Sequence, residues 1–445
     1  MFACHRYLLL PVFIMMIVAP VNAQRTPFTG VWHTVGYGFV LAVAPDAFKA
    51  YQVTAVSCVA LFSVDDYAIT GDRILLPDVA YNSDEEILLD HALIADSGVL
   101  LFDFGGLIAQ PLLGGQAFLP DICENGITES DRPIDVFDVF WQMMHEHYAF
   151  FDLYDVDWNT VRDTHRPRVT PDMDDEELFA LLAEMVTPLQ DGHIDIVGAG
   201  LDYSPGLEPA WAADGVDGYL DVVLDEYIIG DYDEAASGLL VYGDLSDAVG
   251  YMAILSMEGF ADDFDDADDI EVLGDTLPQI LSRFADKDVL VIDVRFNDGG
   301  EDANALYIAG HFADEPTLAF TKDVQGNTFV EPLELHIEPQ TTQPFAGDVV
   351  VMTSGYTFSA AEVFTGAMIA LPNVTTIGEA TGGGFSDTLI ALLPNGWHFT
   401  LSNEVYTLHD GRVYEGQGLP PDVKAPMRST PTDRDVDPVL NHVLR

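Results

Sequence analysis

Residues 349–364 read V-V-V-M-T-S-G-Y-T-F-S-A-A-E-V-F. The valine run predicts a buried strand, the glycine marks a turn, and the alanine-rich stretch predicts a helix. Ser359 lies at the corner between strand and helix. S-A-A-E matches a capping box with Glu362, whereas the free N–H groups of a helix N-terminus would also stabilise an oxyanion beside a nucleophile. Taken alone, the stretch favours the helix cap over the nucleophile.

Strands alternate with helices on both sides of this corner. V-L-V-I-D-V-R-F at 289–296 leads into N-D-G-G and then into a helix-like segment, and V-T-T-I-G-E at 374–379 follows the Ser359 helix. Continuous apolar strands that alternate with helices predict an α/β sheet buried on both faces.

The N-terminal part has a different pattern. Short β-type runs separated by turn residues predict a small, mostly antiparallel β domain, and apolar residues at helical spacing then predict helices over about 131–190. The predicted divisions are a signal peptide at 1–23, an N-terminal β domain at 24–128, a helical segment with a histidine motif at 129–200, an acidic connecting region at 201–248, an α/β core at 249–430 and a C-terminal tail at 431–445.

The composition describes a folded and strongly acidic protein. Hydrophobic residues make up 49% of the 445 residues, enough for a sizeable core. The 74 Asp and Glu against 17 Lys and Arg give a formal net charge of -57, which excludes a phosphate-backbone binder. Such a surface suits a salty habitat, because salt screens its self-repulsion, and it also suits an acidic secreted protein without a salt requirement. The composition leaves both interpretations open.

The first residues predict export. Arg6 precedes the apolar stretch Leu8–Ala19, and Val21-Asn22-Ala23 resembles a signal-peptide cleavage site. The apolar stretch is too short to span a membrane, so we expect a soluble protein in a periplasm or outside the cell, without stable membrane insertion. Cys4 would leave with the signal, and Cys58 and Cys123 could then pair in an oxidising compartment.

Two further segments carry residues suited to chemistry. Gln190-Asp191-Gly192-His193 follows a predicted helix, and His193 could act as the general base for a serine. The turn Asn297-Asp298-Gly299-Gly300 could present backbone N–H groups outward, although it could also be only a tight turn. Other histidines compete with His193 on chemistry alone, namely His145, His147, His311 and His398.

The Asp-rich stretch at 262–269 raises the possibility of calcium binding. D-D-F-D-D-A-D-D lacks the D-x-D-x-D-G spacing and the Glu at the twelfth position of an EF-hand loop. A solvated acidic loop is the preferred interpretation. We therefore expect neither a metal nor an organic cofactor.

The order of these motifs is more specific than any one of them. D-G-H, strand-R-x-N-x-G-G, T-x-S-A-A-E, G-E-x-T-G-G and E-G-x-G-x-x-P-D follow one another over about 131–425. This order resembles the tail-specific, C-terminal-processing and tricorn-core serine peptidases. The resemblance implies a crotonase-like (ClpP-like) α/β catalytic core with a helical N-terminal segment.

The resemblance also implies which version of the site this chain carries. In one version a lysine in a T-x-G-K-G loop activates the serine, but here the loop reads T-G-G-G-F and Gly384 stands at the lysine position. The tricorn-like version uses Ser359, His193 and Glu415, with Glu379 and Glu362 as alternative carboxylates. The serine that can precede the histidine in that version is Gly192 here.

The mechanism implied is peptide hydrolysis through an acyl-enzyme. The backbone N–H groups of Gly299 or Gly300, and of Ala360, would hold the oxyanion. The stretch between His193 and Gly250 is too short for a PDZ domain, so the N-terminal β domain is the predicted substrate-binding or gating element. The expected partner is a protein or peptide substrate, while the sequence does not determine the oligomeric state.

Two other classes of function compete with this interpretation. A non-catalytic peptide-binding protein on the same fold is the main alternative. An esterase of the α/β-hydrolase type is disfavoured, because no G-x-S-x-G surrounds any serine.

Overall fold

The computed structural model describes most of the chain after residue 27. The described ranges are 28–206, 209–212, 216–261, 269–327, 331–427 and 437–445, without residues 66, 71–72, 76–79, 83–84, 89–91, 97–98, 103–109 and 117. The predicted signal peptide at 1–23 lies outside the described residues. So does the Asp-rich stretch, except for Asp269.

The N-terminal domain is an antiparallel β structure. Its strands are β1 (Gly30–Thr34), β2 (Phe39–Ala44), β3 (Ala47–Val53), β4 (Cys58–Val64), β5 (Ala68–Thr70), β6 (Arg73–Leu75), β7 (Ala80–Asn82), β8 (Glu85–Leu88), β9 (Ala92–Asp96), β10 (Val99–Phe102) and β11 (Gln110–Gln116). Nine of them form one sheet in the order β4-β3-β2-β1-β11-β10-β9-β6-β5, and β7 pairs with β8. Strand β3 shows the expected alternation, since Phe48 and Ala50 are buried while Lys49 is exposed.

A disulfide ties this domain to the segment that follows it. Cys123 lies in the short helix α1 (Ile122–Asn125) and is bonded to Cys58 at the start of β4. The Cys58 N–H donates to the carbonyl of Ile127 beside the bond. The two cysteines that could pair by sequence are therefore paired.

The helical segment ends at the histidine motif. It contains α2 (Pro133–His147), α3 (Trp158–His165) and α4 (Asp175–Val186), with 3-10 turns at Arg166–Arg168 and Thr187–Leu189. A capping box formed by Asp174 and Glu177 begins α4, in agreement with the acids of its first turn. Gln190 ends the 3-10 turn in the left-handed conformation, with φ of 50°, and so directs the chain into Asp191–His193.

The catalytic core is built on a mainly parallel sheet. The later strands are β12 (Ile196–Gly198), β13 (Leu201–Tyr203), β14 (Asp233–Ala235), β15 (Leu240–Asp244), β16 (Val249–Ile254), β17 (Val289–Asp293), β18 (Thr317–Val324), β19 (Leu333–Ile337), β20 (Asp348–Thr353), β21 (Val374–Gly378), β22 (Thr388–Leu392), β23 (His398–Ser402), β24 (Glu404–Leu408) and β25 (Val423–Lys424). Seven of them form the sheet β14-β15-β16-β17-β20-β21-β25, parallel from β16 onward.

Five helices accompany this sheet in the described part of the chain. They are α5 (Asp217–Glu226), α6 (Asp269–Arg283), α7 (Asp302–Ala309), α8 (Ala360–Met368) and α9 (Pro438–Val443). Helix α6 joins β16 to β17, and α8 joins β20 to β21. The predicted fold class, an α/β core behind a small antiparallel β domain, is confirmed.

Two smaller sheets connect the histidine motif to the core. In the sheet β13-β12-β23-β22, Ile196 on β12 pairs with Phe399 on β23, only a few residues after His193. The other small sheet has the order β19-β18-β24, and its strand β24 directly follows β23 in the chain. The histidine segment is therefore anchored to the same body that carries Ser359.

The connecting region and the C-terminal segment both join the core. Strands β14 and β15, from the predicted connecting region, extend the catalytic sheet by antiparallel pairing to β16. Helix α9, within the residues predicted as a tail, buries Val439 and Leu440 completely against this sheet.

Candidate active site

Ser359 occupies a strained backbone position. Strand β20 ends at Thr353, α8 begins at Ala360, and Ser359 between them has φ of +53° and ψ of −128°. A non-glycine residue with this conformation carries strain of about 1–3 kcal/mol and needs its surroundings to hold it. The Ser359 side chain makes no capping hydrogen bond. The hydrogen bond that the Ser359 side chain would accept in the predicted capping box is therefore absent, and the hydroxyl points away from the helix.

The hydroxyl is turned toward His193. Nε2 of His193 lies 3.0 Å from Oγ of Ser359. The backbone of His193 is fixed on both sides, because its N–H donates to Asp191 Oδ1 at 2.8 Å and its carbonyl accepts from Thr400 Oγ1 at 2.7 Å. Burial lowers the pKa of the imidazole below its usual value of 6.5, which favours the neutral form that can accept a proton. Sequence reasoning named this pair, and the structure brings the two residues together.

The competing histidines lie elsewhere. Nδ1 of His147 hydrogen-bonds the carbonyl of Gly36, and Nδ1 of His311 hydrogen-bonds the carbonyl of Tyr307 in the preceding helix α7. His145 stacks on Trp141 of α2, and His398 is in strand β23. Among the described residues, His193 is the histidine that hydrogen-bonds Ser359.

The Gly299-Gly300 turn lies directly against the serine. A Cβ on Gly299 would fall 2.6 Å from Cβ of Ser359, so only glycine allows this approach. Both glycines have positive φ, 126° and 129°. The carbonyl of Asn297 also accepts from the Phe358 N–H at 3.2 Å, which ties the turn to the serine loop.

Only part of the predicted oxyanion hole is free. The Gly299 N–H donates to Oδ1 of the buried Asn297 at 2.9 Å, so it is not available to a substrate in this structure. The N–H groups of Gly300 and Ala360 donate no hydrogen bond to any residue that the structure describes. The two remaining predicted donors are thus unengaged. The second role of Asn297, as the acceptor for Gly299, was not recognised from the sequence.

Glu415 is buried near the site without contacting the imidazole. It is 2% exposed, and its Oε2 accepts the N–H groups of Phe385 and Ser386 at 2.8 and 3.0 Å. Its Oε1, like Nδ1 of His193, is buried without a hydrogen-bond partner in the described part of the chain. Burial first, and then the charge of Asp191, raise the pKa of Glu415 well above its usual value. The predicted glutamate–histidine pair is not formed as a direct hydrogen bond.

The two alternative carboxylates have other contacts. Glu362 accepts the hydroxyl of Thr381 at 2.5 Å and the N–H groups of Gly383 and Gly384 at 2.9 and 2.5 Å, which fixes the glycine loop. Burial raises the pKa of Glu362 to about 7. Glu379 accepts the N–H of Met427. Neither carboxylate hydrogen-bonds His193.

Asp191 has a larger role than its place in a short motif suggested. Besides holding the His193 N–H, its Oδ2 accepts the hydroxyl of Tyr148 at 2.9 Å, and the side chain is 2% exposed. Its negative charge acts on both His193 and Glu415. The contact with Tyr148 joins elements distant in sequence, so no local sequence pattern predicts it.

Part of the connecting region contacts both the segment that carries His193 and the loop that carries Ser359. Its described residues are 204–206 and 209–212. A Cβ on Gly206 would fall 2.7 Å from the Gly192 Cα, and Pro209 packs on Gly355. The ring of Trp211 lies 6.3 Å from that of Tyr356. The connecting region therefore forms one wall of the site.

The described residues were predicted to hold no metal ion and to span no membrane. Within the described residues, no three His, Cys, Asp or Glu side chains are grouped so that they could hold a metal ion. Over the same residues, no helix has the length and apolar character needed to cross a bilayer.

Two regions of the chain match known peptidase families. Residues 248–425 match Peptidase family S41, and residues 135–187 match the Tricorn protease C1 domain. Fold and matched regions together define the class: the chain is a serine-type peptidase. The match to Peptidase family S41 covers 248–425, and the resemblance inferred from the motifs is confirmed.

Solved structures agree with this assignment. A protein from Parabacteroides merdae ATCC 43184, assigned as a peptidase, is 27% identical with a TM-score of 0.60, over 71% of this chain and 96% of that one. Mature CPAF in complex with lactacystin is 11% identical with a TM-score of 0.54, over 70% of this chain and 96% of that one. The likeness to CPAF concerns the fold alone.

Proposed function

We propose that this protein is an exported serine endopeptidase in which Ser359 is the nucleophile, His193 the general base and Glu415 the supporting carboxylate. The observation that carries the proposal is the 3.0 Å hydrogen bond between Ser359 Oγ and His193 Nε2 at a strained strand-to-helix corner. A nucleophile within hydrogen-bond reach of a buried base is the arrangement that acyl transfer requires.

The steps follow from the positions of these groups. Nε2 of His193 takes the hydroxyl proton while Oγ of Ser359 attacks the peptide carbonyl carbon. The N–H groups of Gly300 and Ala360 stabilise the oxyanion, and loss of one such donor typically costs about 10²–10³ in rate. The imidazolium then gives its proton to the leaving amine. Water, deprotonated in turn by His193, hydrolyses the acyl-enzyme.

Glu415 supports the imidazolium in this proposal. Proton transfer creates a positive charge in a buried place, where an unpaired charge is costly. His193 Nδ1 is a buried nitrogen without an acceptor, and Glu415 Oε1 is a buried acceptor without a donor. The ionised form of Glu415 would favour the imidazolium through its charge, and Asp191 and Asp387 add negative charge near His193.

Export and substrate class rest on different observations. The Cys58–Cys123 disulfide is of the kind that persists in oxidising compartments, in agreement with the predicted signal peptide. The expected substrate is a protein or peptide, and the net charge of -57 speaks against a nucleic acid. The described part of the connecting region is a helix with short strands rather than a separate recognition domain.

Cleavage of denatured protein and peptide substrates by purified mature protein tests this function. We expect cleavage by the wild type and its loss in Ser359→Ala, with unchanged far-UV circular dichroism. Ser63→Ala, at an exposed serine of β4, is the matched control and should cleave as the wild type does. Binding of peptides without cleavage by either protein would instead favour a non-catalytic peptide-binding protein on the same fold.

A further inference from the structure

The aromatic ring next to the nucleophile lies against the proposed base. Phe358 precedes Ser359 in the chain, and its ring centroid is 4.7 Å from that of His193, with an interplanar angle of 49°. His193 Nδ1 has no hydrogen-bond partner among the described residues. The orientation of the imidazole is therefore set by its bond to Ser359 and by its packing, not by an acceptor at Nδ1.

Three glycines form the space that holds this ring. A Cβ on Gly192 would fall 2.8 Å from Cζ of Phe358, one on Gly382 2.7 Å from Cδ2, and one on Gly384 2.2 Å from Cε2. Real Cβ atoms do not approach so closely, so the ring would have to move if any of the three carried a side chain. We call this space the glycine slot.

The walls of the glycine slot are held by hydrogen bonds. The Gly382 N–H donates to the carbonyl of Thr357 at 2.8 Å, and the Gly384 N–H donates to Glu362. The backbone of His193 is fixed by Asp191 on the remaining side. Because these walls are fixed, they cannot shift to make room for an added side chain. Such a side chain would displace the Phe358 ring, and the imidazole of His193 would lose its packing partner.

We propose that Phe358, seated in the glycine slot, is a positioning residue that holds the imidazole of His193 against Ser359 and keeps water from it. This inference rests on the proposed function, since it assigns a role to the base of that site. The ring also fills the volume that a side chain at Gly384 would enter. A lysine at position 384 and the ring of Phe358 therefore could not both occupy this volume.

Three variants test the role of the ring. Phe358→Ala empties the glycine slot, Phe358→Leu keeps part of its apolar volume, and Phe118→Ala removes an exposed phenylalanine as the matched control. We expect kcat to fall about 10²-fold in Phe358→Ala, as for a misplaced catalytic group, with partial recovery in Phe358→Leu. KM should change little, and Phe118→Ala should match the wild type.

Gly384→Ala supplies a second, independent variant. Its Cβ would force the ring out of the slot, so alone it should lower kcat much as Phe358→Ala does. Added to Phe358→Ala it should cost almost nothing further, because no ring remains to be displaced. Additive losses in the double variant would contradict the proposal.

A readout that does not depend on turnover separates this inference from the proposed function. The pKa of His193, followed by NMR through its ring protons, should rise toward the ordinary value in Phe358→Ala, because water reaches the imidazole. An unchanged pKa together with wild-type kcat would overturn the positioning role. An inactive wild type whose His193 pKa still responds to Phe358→Ala would overturn the proposed function and leave the packing role of the ring intact.

Discussion

Backbone strain and burial meet in the Ser359–His193 pair. The positive φ of Ser359 directs Oγ away from the helix it precedes, and the imidazole receives it in a place shielded from water. Both features favour a neutral base beside a half-buried nucleophile. The site is therefore assembled by tertiary contacts between three segments, those of His193, of the Gly299-Gly300 turn and of Ser359, and not by one sequence motif.

The pH profile of cleavage reports the burial of His193. Because burial lowers its pKa below 6.5, the neutral base persists to lower pH than in a solvated histidine. We expect the acid limb of kcat/KM to lie below pH 6.5, with activity lost as the pH falls through the folded-state pKa. A pH series of kcat/KM on a peptide substrate measures it. An acid limb at or above 6.5 would contradict a buried neutral base.

The role of Glu415 is tested by replacing one of its carboxylate oxygens with an amide nitrogen. Glu415→Gln keeps an oxygen for the Phe385 and Ser386 N–H groups but cannot ionise, so the fold should survive while any charge on the imidazolium loses its support. We expect kcat to fall about 10²–10⁴-fold, the upper figure being typical when a triad carboxylate is neutralised. Single-turnover kinetics of Glu415→Gln and Glu379→Gln, the latter as control, measure it. Equal rates in both variants would assign Glu415 to structure alone.

At the scale of elements, the strand that leads to the Gly299-Gly300 turn is tied to the C-terminal helix α9 by a buried ion-pair cluster, which we call the clamp. Arg295, fully buried, pairs with Asp293 at 2.7 Å and with Asp437 at 2.8 Å. The Asp437 side chain also caps α9 through the N–H groups of Val439 and Leu440. The strand that leads to the turn and the end of the described chain are thus one structural unit.

The clamp predicts a specific loss of stability. Asp437→Asn can keep the helix cap but loses one partner of a buried ion pair, a change that typically costs 3–5 kcal/mol. We expect the free energy of unfolding to fall by about 3 kcal/mol, and by about 1 kcal/mol more in Asp437→Ala, which also loses the cap. Urea unfolding followed by fluorescence measures both. A midpoint for Asp437→Asn equal to that of the wild type would contradict the clamp.

The elements show where sequence reasoning succeeds and where it ends. The valine-rich strand, the turn and the helix around Ser359 were predicted, because periodicity and turn residues are local signals. The positive φ of Ser359 and the engagement of the Gly299 N–H by Asn297 were not, because tertiary contacts impose them. The glycine slot could not be predicted either, because Gly192, Gly382 and Gly384 come together around the Phe358 ring only in the folded chain.

At the scale of the whole molecule, the main feature is the large excess of negative charge. The surface carboxylates behind the formal net charge of -57 repel one another in the compact state. Two lysines form ion pairs in the described structure: Lys287 with Asp244 at 2.8 Å, and Lys322 with the buried Glu404 at 2.6 Å. The β domain contributes to this same region, since Tyr37 donates its hydroxyl to Glu404. Deleting the domain would therefore disturb the core as well as any substrate contact.

Self-repulsion predicts that salt stabilises the fold. Raising NaCl from about 0.1 M to about 1 M shortens the Debye length from roughly 10 Å to 3 Å, so repulsion between surface carboxylates is screened. We expect Tm to rise over this range, as measured by differential scanning calorimetry. Sucrose serves as the uncharged control. A Tm that stays flat or falls with NaCl would favour an acidic secreted protein without a salt requirement.

The most direct test of the central claim is covalent labelling of the nucleophile. Incubation with a fluorophosphonate, followed by peptide mass spectrometry, asks whether Ser359 is activated and whether His193 activates it. We predict an adduct on Ser359 in the wild type, none in Ser359→Ala, and labelling slowed by orders of magnitude in His193→Ala. No adduct on Ser359 in the folded wild type, or labelling unaffected by His193→Ala, would contradict this prediction.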